Sequence, residues 1–458
     1  MFYPVHGRVG RYARELAEAP GLRIAQVMSP ERLAAALGDC DVTYRDRVFN
    51  PLVTLWAFCW QVMAAGAVCS EAVARVLAWR ISSGLKPCST STGSYCQARQ
   101  RLPPTLIQTL LRDMARVVQD QVDEAYLWKG RHVKIVDGST VTMPDTPANQ
   151  KRFPQAPTQK PGPGSPIVRL VAVFSLHTAA VLDLAIGPYG GKQTGENSLF
   201  RRLLDHLRPG EVVLADRAFS GYADLALIAA QGADVVMRKH QRRKTDLKRA
   251  ERLGKGDCKV VWNKPARCPA WMEPAAFDAL PDQRTVREVT VSISIKGFRT
   301  NCFTVVTTLL DAKVFTASDL AALYRRRWEA ELNLRSLKVT MGMDVLQCKT
   351  PEMVEKELWM PLLAYNLVRI TMAQAGAMHG CDPSRLSFAS SLYLLRQFHA
   401  TGLLHARHMD TILLIIAQLR VPYRPDRVEP RAIKDRGKPQ KHLTEPREQA
   451  RQQLRSNH

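Results

Sequence analysis

The chain has 458 residues, with 65 Lys and Arg against 42 Asp and Glu and a formal charge of +23, and its pI is near 9.9. A hydrophobic content of 46% supports a folded core in two or three domains and excludes a disordered basic tail protein; the charge calls for a polyanionic partner, nucleic acid first and an anionic membrane surface second. Ten cysteines with no C-x-x-C pair, and no secretory signal at the start, exclude a disulfide frame and argue against zinc, so a cytoplasmic protein is expected.

Residues 1–125 read as helical, through ERLAAALGD, SEAVARVLAWRIS and PPTLIQTLLRDMARVVQDQVDEAY. Leu52 to Cys69, LVTLWAFCWQVMAAGAVC, is nearly all apolar and just long enough to span a bilayer. Thr54, Gln61 and Gly66 interrupt it and an amphipathic pattern follows at once, so it reads as a buried core helix, and no membrane role is expected. SEAVARVLAWRIS and GSYCQARQRL, joined by the turn GLKPCSTST, have a helix-turn-helix layout. The second helix carries Gln97, Arg99, Gln100 and Arg101, side chains suited to phosphates and purine edges. Arg99 and Arg101 are therefore candidate DNA contacts, the alternative being two packed helices with a solvated basic end.

From about residue 131 the pattern turns to strands: RHVKIVDGSTVTMP, IVRLVAVFSLH and AAVLDLAIGPY, then a helix NSLFRRLLDHLRPG, a strand EVVLADRAF, a helix GYADLALIAAQG and a strand DVVMRKH. This is an α/β layout. Two strands end in an acid, Asp137 after VKIV and Asp216 after VVLA. A carboxylate closing an apolar strand is expensive to bury unless it caps a turn or coordinates something. Residues 238–300 are basic and irregular up to the strand-like REVTVSISIKG, and read as a β-rich insertion before the strand CFTVVTTLL. Helical patterns resume after residue 331, and the end, from about residue 424, is rich in Arg, Lys and Pro and reads as an extended or poorly ordered tail. The expected division is a helical DNA-binding domain over 1–125, a catalytic domain over 126–380 with its insertion, and C-terminal helices with a basic tail over 381–458.

The stretch YRRRWEAELNLRSLK, Tyr324 to Lys338, presents one acid inside a cationic frame. At 100° per residue Tyr324, Arg327, Glu331 and Lys338 fall at about 0°, 300°, 340° and 320°, one narrow face, beside an apolar stripe of Leu320, Leu323, Ala330, Leu334 and Leu337. Such a helix is either an ion-paired surface or the mount of a site. With Asp137 and Asp216, Glu331 completes three acids without His or Cys, a hard-oxygen set suited to Mg²⁺ or Mn²⁺. Two such ions roughly 4 Å apart stabilise both attacking and leaving oxygens of an in-line phosphoryl displacement. Tyr324, Arg327 and Lys338 are placed to hold DNA phosphates beside them. GKGDC and GPGSP lack the setting of a P-loop, so no nucleotide cofactor is expected.

These residues carry a family resemblance. Tyr324, Arg327, Glu331 and Lys338 reproduce the Y-R-E-K signature of the DDE transposases of the insertion-sequence-four family. DGSTVTMPDTPANQKRFPQ, Asp137 to Gln155, resembles that family's first-acid motif, with Asp145, Thr146, Asn149 and Gln150 downstream, and LADRAFSGY, Leu214 to Tyr222, its second-acid block. The resemblance runs in order over about residues 90 to 450. It implies an RNase H-like catalytic core, a mixed sheet flanked by helices, with Asp137, Asp216 and Glu331 as the metal-binding triad and an insertion between the second acid and the glutamate. The 115 residues from 216 to 331 leave room for one. It further implies Mg-dependent cleavage at the terminal inverted repeats of a mobile element and strand transfer into target DNA, cut-and-paste, by a homodimer that pairs the element ends. Trp262 is the candidate aromatic for a flipped base, against a plain role as hydrophobic anchor of the insertion. The alternatives are a nuclease on the same core that does not join strands, and a catalytically silent DNA-binding protein.

Overall fold

The computed structural model describes residues 30–40, 44, 47–64, 66–120, 122, 124–160, 162–292, 302–401, 408–422 and 447–456. They fall into two compact units: one holds the described residues up to Gly130, Phe174–Asp183 and those of Leu332–Val421, the other Arg131–Val173 and the described residues of Leu184–Glu331 and Pro422–His458. The helices after Glu331 thus group with the N-terminal helices, a partition that cuts across the sequential division at 125 and 380.

The first unit is helical. The apolar stretch starting at Leu52 is the helix Pro51–Met63, buried from Leu52 to Met63 and started by the Asn50 side chain, which accepts the Val53 N–H at 2.9 Å. Its polar interruption Gln61 is satisfied: Tyr95 donates to Gln61 Oε1 at 2.7 Å, and Gln61 donates to the Ala67 carbonyl at 2.6 Å. No helix among the described residues is long and apolar enough to cross a membrane. Helix Pro104–Asp120 buries Leu106, Ile107, Leu110, Leu111, Met114 and Val118, one face at helical spacing. The long helix Pro351–His379 anchors the loop around residue 180. Asn366 donates to the Val181 carbonyl and accepts its N–H, each at 2.8 Å, while the Tyr365 hydroxyl donates to the Ala179 carbonyl.

The second unit is built on a sheet of β1 (Val133–Thr142), β2 (Ile167–Ser175), β3 (Val181–Pro188), β4 (Val212–Ala215), β5 (Asp234–Arg238), β6 (Glu251–Gly254), β7 (Asp257–Asn263), β8 (Gln283–Ser292) and β9 (Cys302–Thr307). The order is β3-β2-β1-β4-β5-β9-β8-β7-β6. β4 runs parallel to both β1 and β5, and β9, β8, β7 and β6 follow antiparallel. Among the first five strands β4 lies between β1 and β5, in a mixed sheet. β4 reads VVLA and is buried throughout, as a central parallel strand covered on both faces must be.

The insertion is β-rich as expected, and its strands extend the main sheet. Arg287 on β8, fully buried, makes a paired contact with Asp257 on β7 at 2.8 and 2.5 Å, which locks the two strands. The helix expected over NSLFRRLLDHLRPG is shorter, Glu196–Arg201 followed by a 3₁₀ turn Leu204–His206. The basic C-terminal stretch contains a helix, Arg447–Ser456; residues 423–446 of that stretch lie outside the described residues.

Candidate active site

Asp137 lies within β1 and Asp216 one residue beyond β4. In the parallel pairing Val133, Lys134 and Ile135 stand opposite Val212, Val213 and Leu214. Two further steps in that register bring Asp137 level with Asp216, on strands about 4.8 Å apart. Each acid uses one oxygen locally: Asp137 Oδ1 accepts the Gly138 N–H at 2.9 Å, and Asp216 Oδ1 accepts the Arg217 N–H at 2.5 Å as cap of the short turn Arg217–Phe219.

The helix Ala317–Arg325 is started by a capping box, Thr316 and Asp319 each bonding the other's backbone N–H. It does not run on unbroken to Lys338. Around Arg327 the bonds tighten to three residues, Arg327 N–H to the Tyr324 carbonyl and Ala330 N–H to the Arg327 carbonyl, each at 3.1 Å. A new helix, Trp328–Arg335, then carries Glu331 and ends in a π-turn, Ser336–Thr340, that contains Lys338. Lys338 belongs to the helical unit, so in the sheet unit three of the four expected side chains share the face.

Arg327 is their centre. Its Nη2 donates to Glu331 Oε1 at 2.9 Å, and its Nη1 is 3.9 Å from Asp137 Oδ2. Burial opposes its charge, yet Glu331, Tyr324, Asp137 and Asp216 together hold its proton more firmly than usual. Burial, joined by the charge of Asp216, pushes the Tyr324 phenol up to about 12, which keeps it a neutral hydroxyl beside Arg327. Burial also pushes the Asp137 carboxyl from 3.8 up to about 6; Glu331 and Glu196 add to the rise, and Arg327 and the Gly138 N–H oppose it. Glu196 is an acid of this neighbourhood that sequence reasoning missed, since its helix showed no chemical motif.

As donors the acids fit a hard divalent ion: all are oxygens, two stand level on adjacent strands, and their mutual repulsion favours a cation. Among the described residues, no three Asp, Glu, His or Cys side chains are spaced to hold one ion. The third acid is clasped by Arg327, a guanidinium standing where a cation would otherwise balance the carboxylates.

Beside Asp216 opens a groove of about 510 Å³ lined by Arg217, Ser220, His240, Arg242, Arg243 and Lys244. Its signal in the sequence was the run KHQRRK directly after β5. Two expected DNA contacts fail on burial. Trp262 is 4% exposed, its indole N–H donates to Glu288 Oε1 at 2.9 Å and Arg243 covers its ring, so it anchors the insertion and offers no face to a base. Arg99 is 6% exposed, stacked on Phe58 and bonded to the sulfurs of Cys69 and Cys348, so it holds the helical core. Arg101, at the end of helix Gly93–Arg101, is exposed as expected.

Residues 128–367 match the model of the transposase DDE domain family. The chain is 31% identical over 364 residues, 77% of its length and 78% of the relative's, to the transposase InsG for insertion sequence element IS4 of Escherichia coli (strain K12). Among solved structures it is similar to a cryo-EM structure of the piggyBac transposase synaptic complex with hairpin DNA, at 10% identity and a TM-score of 0.42, over 91% of this chain and 85% of that one.

Proposed function

This chain belongs to the DDE transposases of the IS4 type, enzymes of bacterial insertion sequences that cleave and join DNA with divalent metal ions, and on that premise we propose which residues do the work. Asp137, Asp216 and Glu331 hold two ions, Mg²⁺ or Mn²⁺. Bound there, the ions would activate the attacking oxygen and neutralise the leaving one in an in-line displacement at phosphorus. With Glu331 held by the ions, Arg327 would be left to pair with a DNA phosphate beside them. Tyr324, kept neutral, donates its hydroxyl to a phosphate oxygen; Lys338 adds a point charge.

The substrate is double-stranded DNA at the element's terminal inverted repeats, followed by target DNA, in a cut-and-paste sequence. The groove from Arg217 to Lys244 receives the backbone of the strand beside Asp216. A homodimer pairs the two ends. The observation that carries this reading is the parallel pairing of β1 with β4, whose register, carried two residues on, sets Asp137 opposite Asp216, with Glu331 tied to Asp137 through Arg327.

The test is Glu331→Gln on end-bearing DNA, with cleavage and joining measured separately. Both should fall by about 10³-fold or more in Mg²⁺ or Mn²⁺, while affinity for end DNA changes less than threefold because no basic side chain is removed. Retained cleavage would take Glu331 out of the metal site.

A further inference from the structure

The groove beside Asp216 takes much of its charge from one short segment, 240–244, which follows β5. Its three cations, Arg242, Arg243 and Lys244, repel one another, and a surface segment has backbone entropy to lose before it holds one shape. Yet the segment is tightly turned. The Arg243 N–H donates to the His240 carbonyl at 3.0 Å, and the Arg242 N–H donates to His240 Nδ1 at 3.2 Å.

Both ends of the turn close on one buried carboxylate. Glu288 stands on β8, paired with β7 on one side and β9 on the other, and its side chain is 3% exposed. Its Oε2 accepts from the Lys239 ammonium at 2.7 Å and from the Thr245 hydroxyl at 2.5 Å, and Lys239 also donates to Thr245. Its Oε1 accepts the Trp262 indole N–H at 2.9 Å, and Arg243, from inside the turn, lies over that indole at 4.0 Å. Gln241 accepts from Arg217 at 3.1 Å, which ties the turn to the residue after Asp216. A carboxylate can stand so deep because both of its oxygens are bonded and a cation is paired with it. The same bonds leave Arg242 and Lys244 exposed on a turn whose shape is fixed.

We propose that Glu288 is the positioning residue of the DNA groove: it touches no DNA and holds the turn 240–244 in the shape that meets the phosphates. The assignment rests on the groove reading above and gives a role to an acid outside both aspartate motifs and the Y-R-E-K signature. Charge and position make opposite predictions for its removal. Glu288→Gln takes a negative charge away from a groove for a polyanion, which by charge alone tightens binding. A neutral amide, however, has one acceptor oxygen and cannot take Lys239, Thr245 and Trp262 together, so the turn opens, its preorganisation is lost and binding weakens.

The experiment is a fluorescence-anisotropy titration of a labelled duplex carrying the element end, in EDTA and over a series of salt concentrations, on wild type, Glu288→Gln, Thr245→Val, Thr245→Ser and Arg242→Ala. In about 0.1 M salt, Glu288→Gln and Thr245→Val should each raise Kd about tenfold and lower the slope of log affinity against log salt by about 1 to 2, although neither removes a cation. Thr245→Ser, which keeps the hydroxyl, should bind as wild type does. Circular dichroism melts establish which variants are native; should Glu288→Gln not be, the contrast between Thr245→Val and Thr245→Ser decides. Wild-type or tighter binding by either native variant, Glu288→Gln or Thr245→Val, with the slope lowered in Arg242→Ala, overturns the positioning role alone. A wild-type slope in Arg242→Ala overturns the groove reading and the positioning role with it.

Discussion

Replacing Asp137 by Asn should stabilise the metal-free protein at neutral pH. In the fold the carboxyl is driven from 3.8 up to about 6 by burial and by Glu331 and Glu196, and its side chain is only 20% exposed. A carboxyl whose folded value is raised binds its proton more firmly in the native state. Its contribution is therefore full below about pH 4 and is lost as pH rises through about 6. A shift of about two units corresponds to about 3 kcal/mol, an upper figure because solvent reaches part of the group. Asparagine keeps the shape and can still accept the Gly138 N–H but carries no charge. In EDTA, Asp137→Asn should exceed wild type by about 1–3 kcal/mol at pH 7.5 and converge with it near pH 4. Urea unfolding at a series of pH values, read as the difference between the two proteins, cancels the other titrating groups. A difference that is absent at pH 7.5, or that does not change between pH 4 and 7.5, would refute the reasoning.

Arg327→Ala removes the guanidinium between Asp137 and Glu331, and in EDTA should cost about 2 kcal/mol at pH 7.5. Mg²⁺ should then raise its melting temperature more than that of wild type, since the ion replaces the lost charge; an equal rise in both proteins would contradict the clasp. Arg217→Ala and Arg242→Ala, both in the groove beside Asp216, should each lower the slope of log affinity against log salt by about 1. An unchanged slope in filter-binding titrations would remove the groove from the DNA path. Trp262→Phe loses the bond to Glu288 and should cost about 1 kcal/mol in thermal or urea unfolding, with the cleavage products unaltered. Altered products from a variant of unaltered stability would return Trp262 to the DNA.

Much of the site was legible because its signals are local. Asp137 and Asp216 announce themselves by closing short apolar runs, and those runs form β1 and β4 because four buried residues in sequence suit a strand covered on both faces. Tyr324, Arg327 and Glu331 share a face because helical spacing brings residues three and four apart together, and this survives the tightened turn at Arg327. Lys338 lies beyond them in a π-turn, whose bonds across five residues no periodicity announces. Arg99 and Trp262 look like DNA contacts in one dimension, but their burial is decided by Phe58, Cys348, Glu288 and Arg243, partners distant in the chain.

The sequence by itself therefore determined the charge, the strands and helices in order, and the three acids with their cationic frame, all properties carried by a residue and its near neighbours. Only the tertiary structure decided the strand order, the register that sets the two aspartates opposite each other, the joining of the insertion to the main sheet and the closing of the turn 240–244 on Glu288. Those depend on pairings between segments tens of residues apart, where the free energy comes from packing and backbone hydrogen bonding between surfaces, and local pattern is silent about which surface meets which.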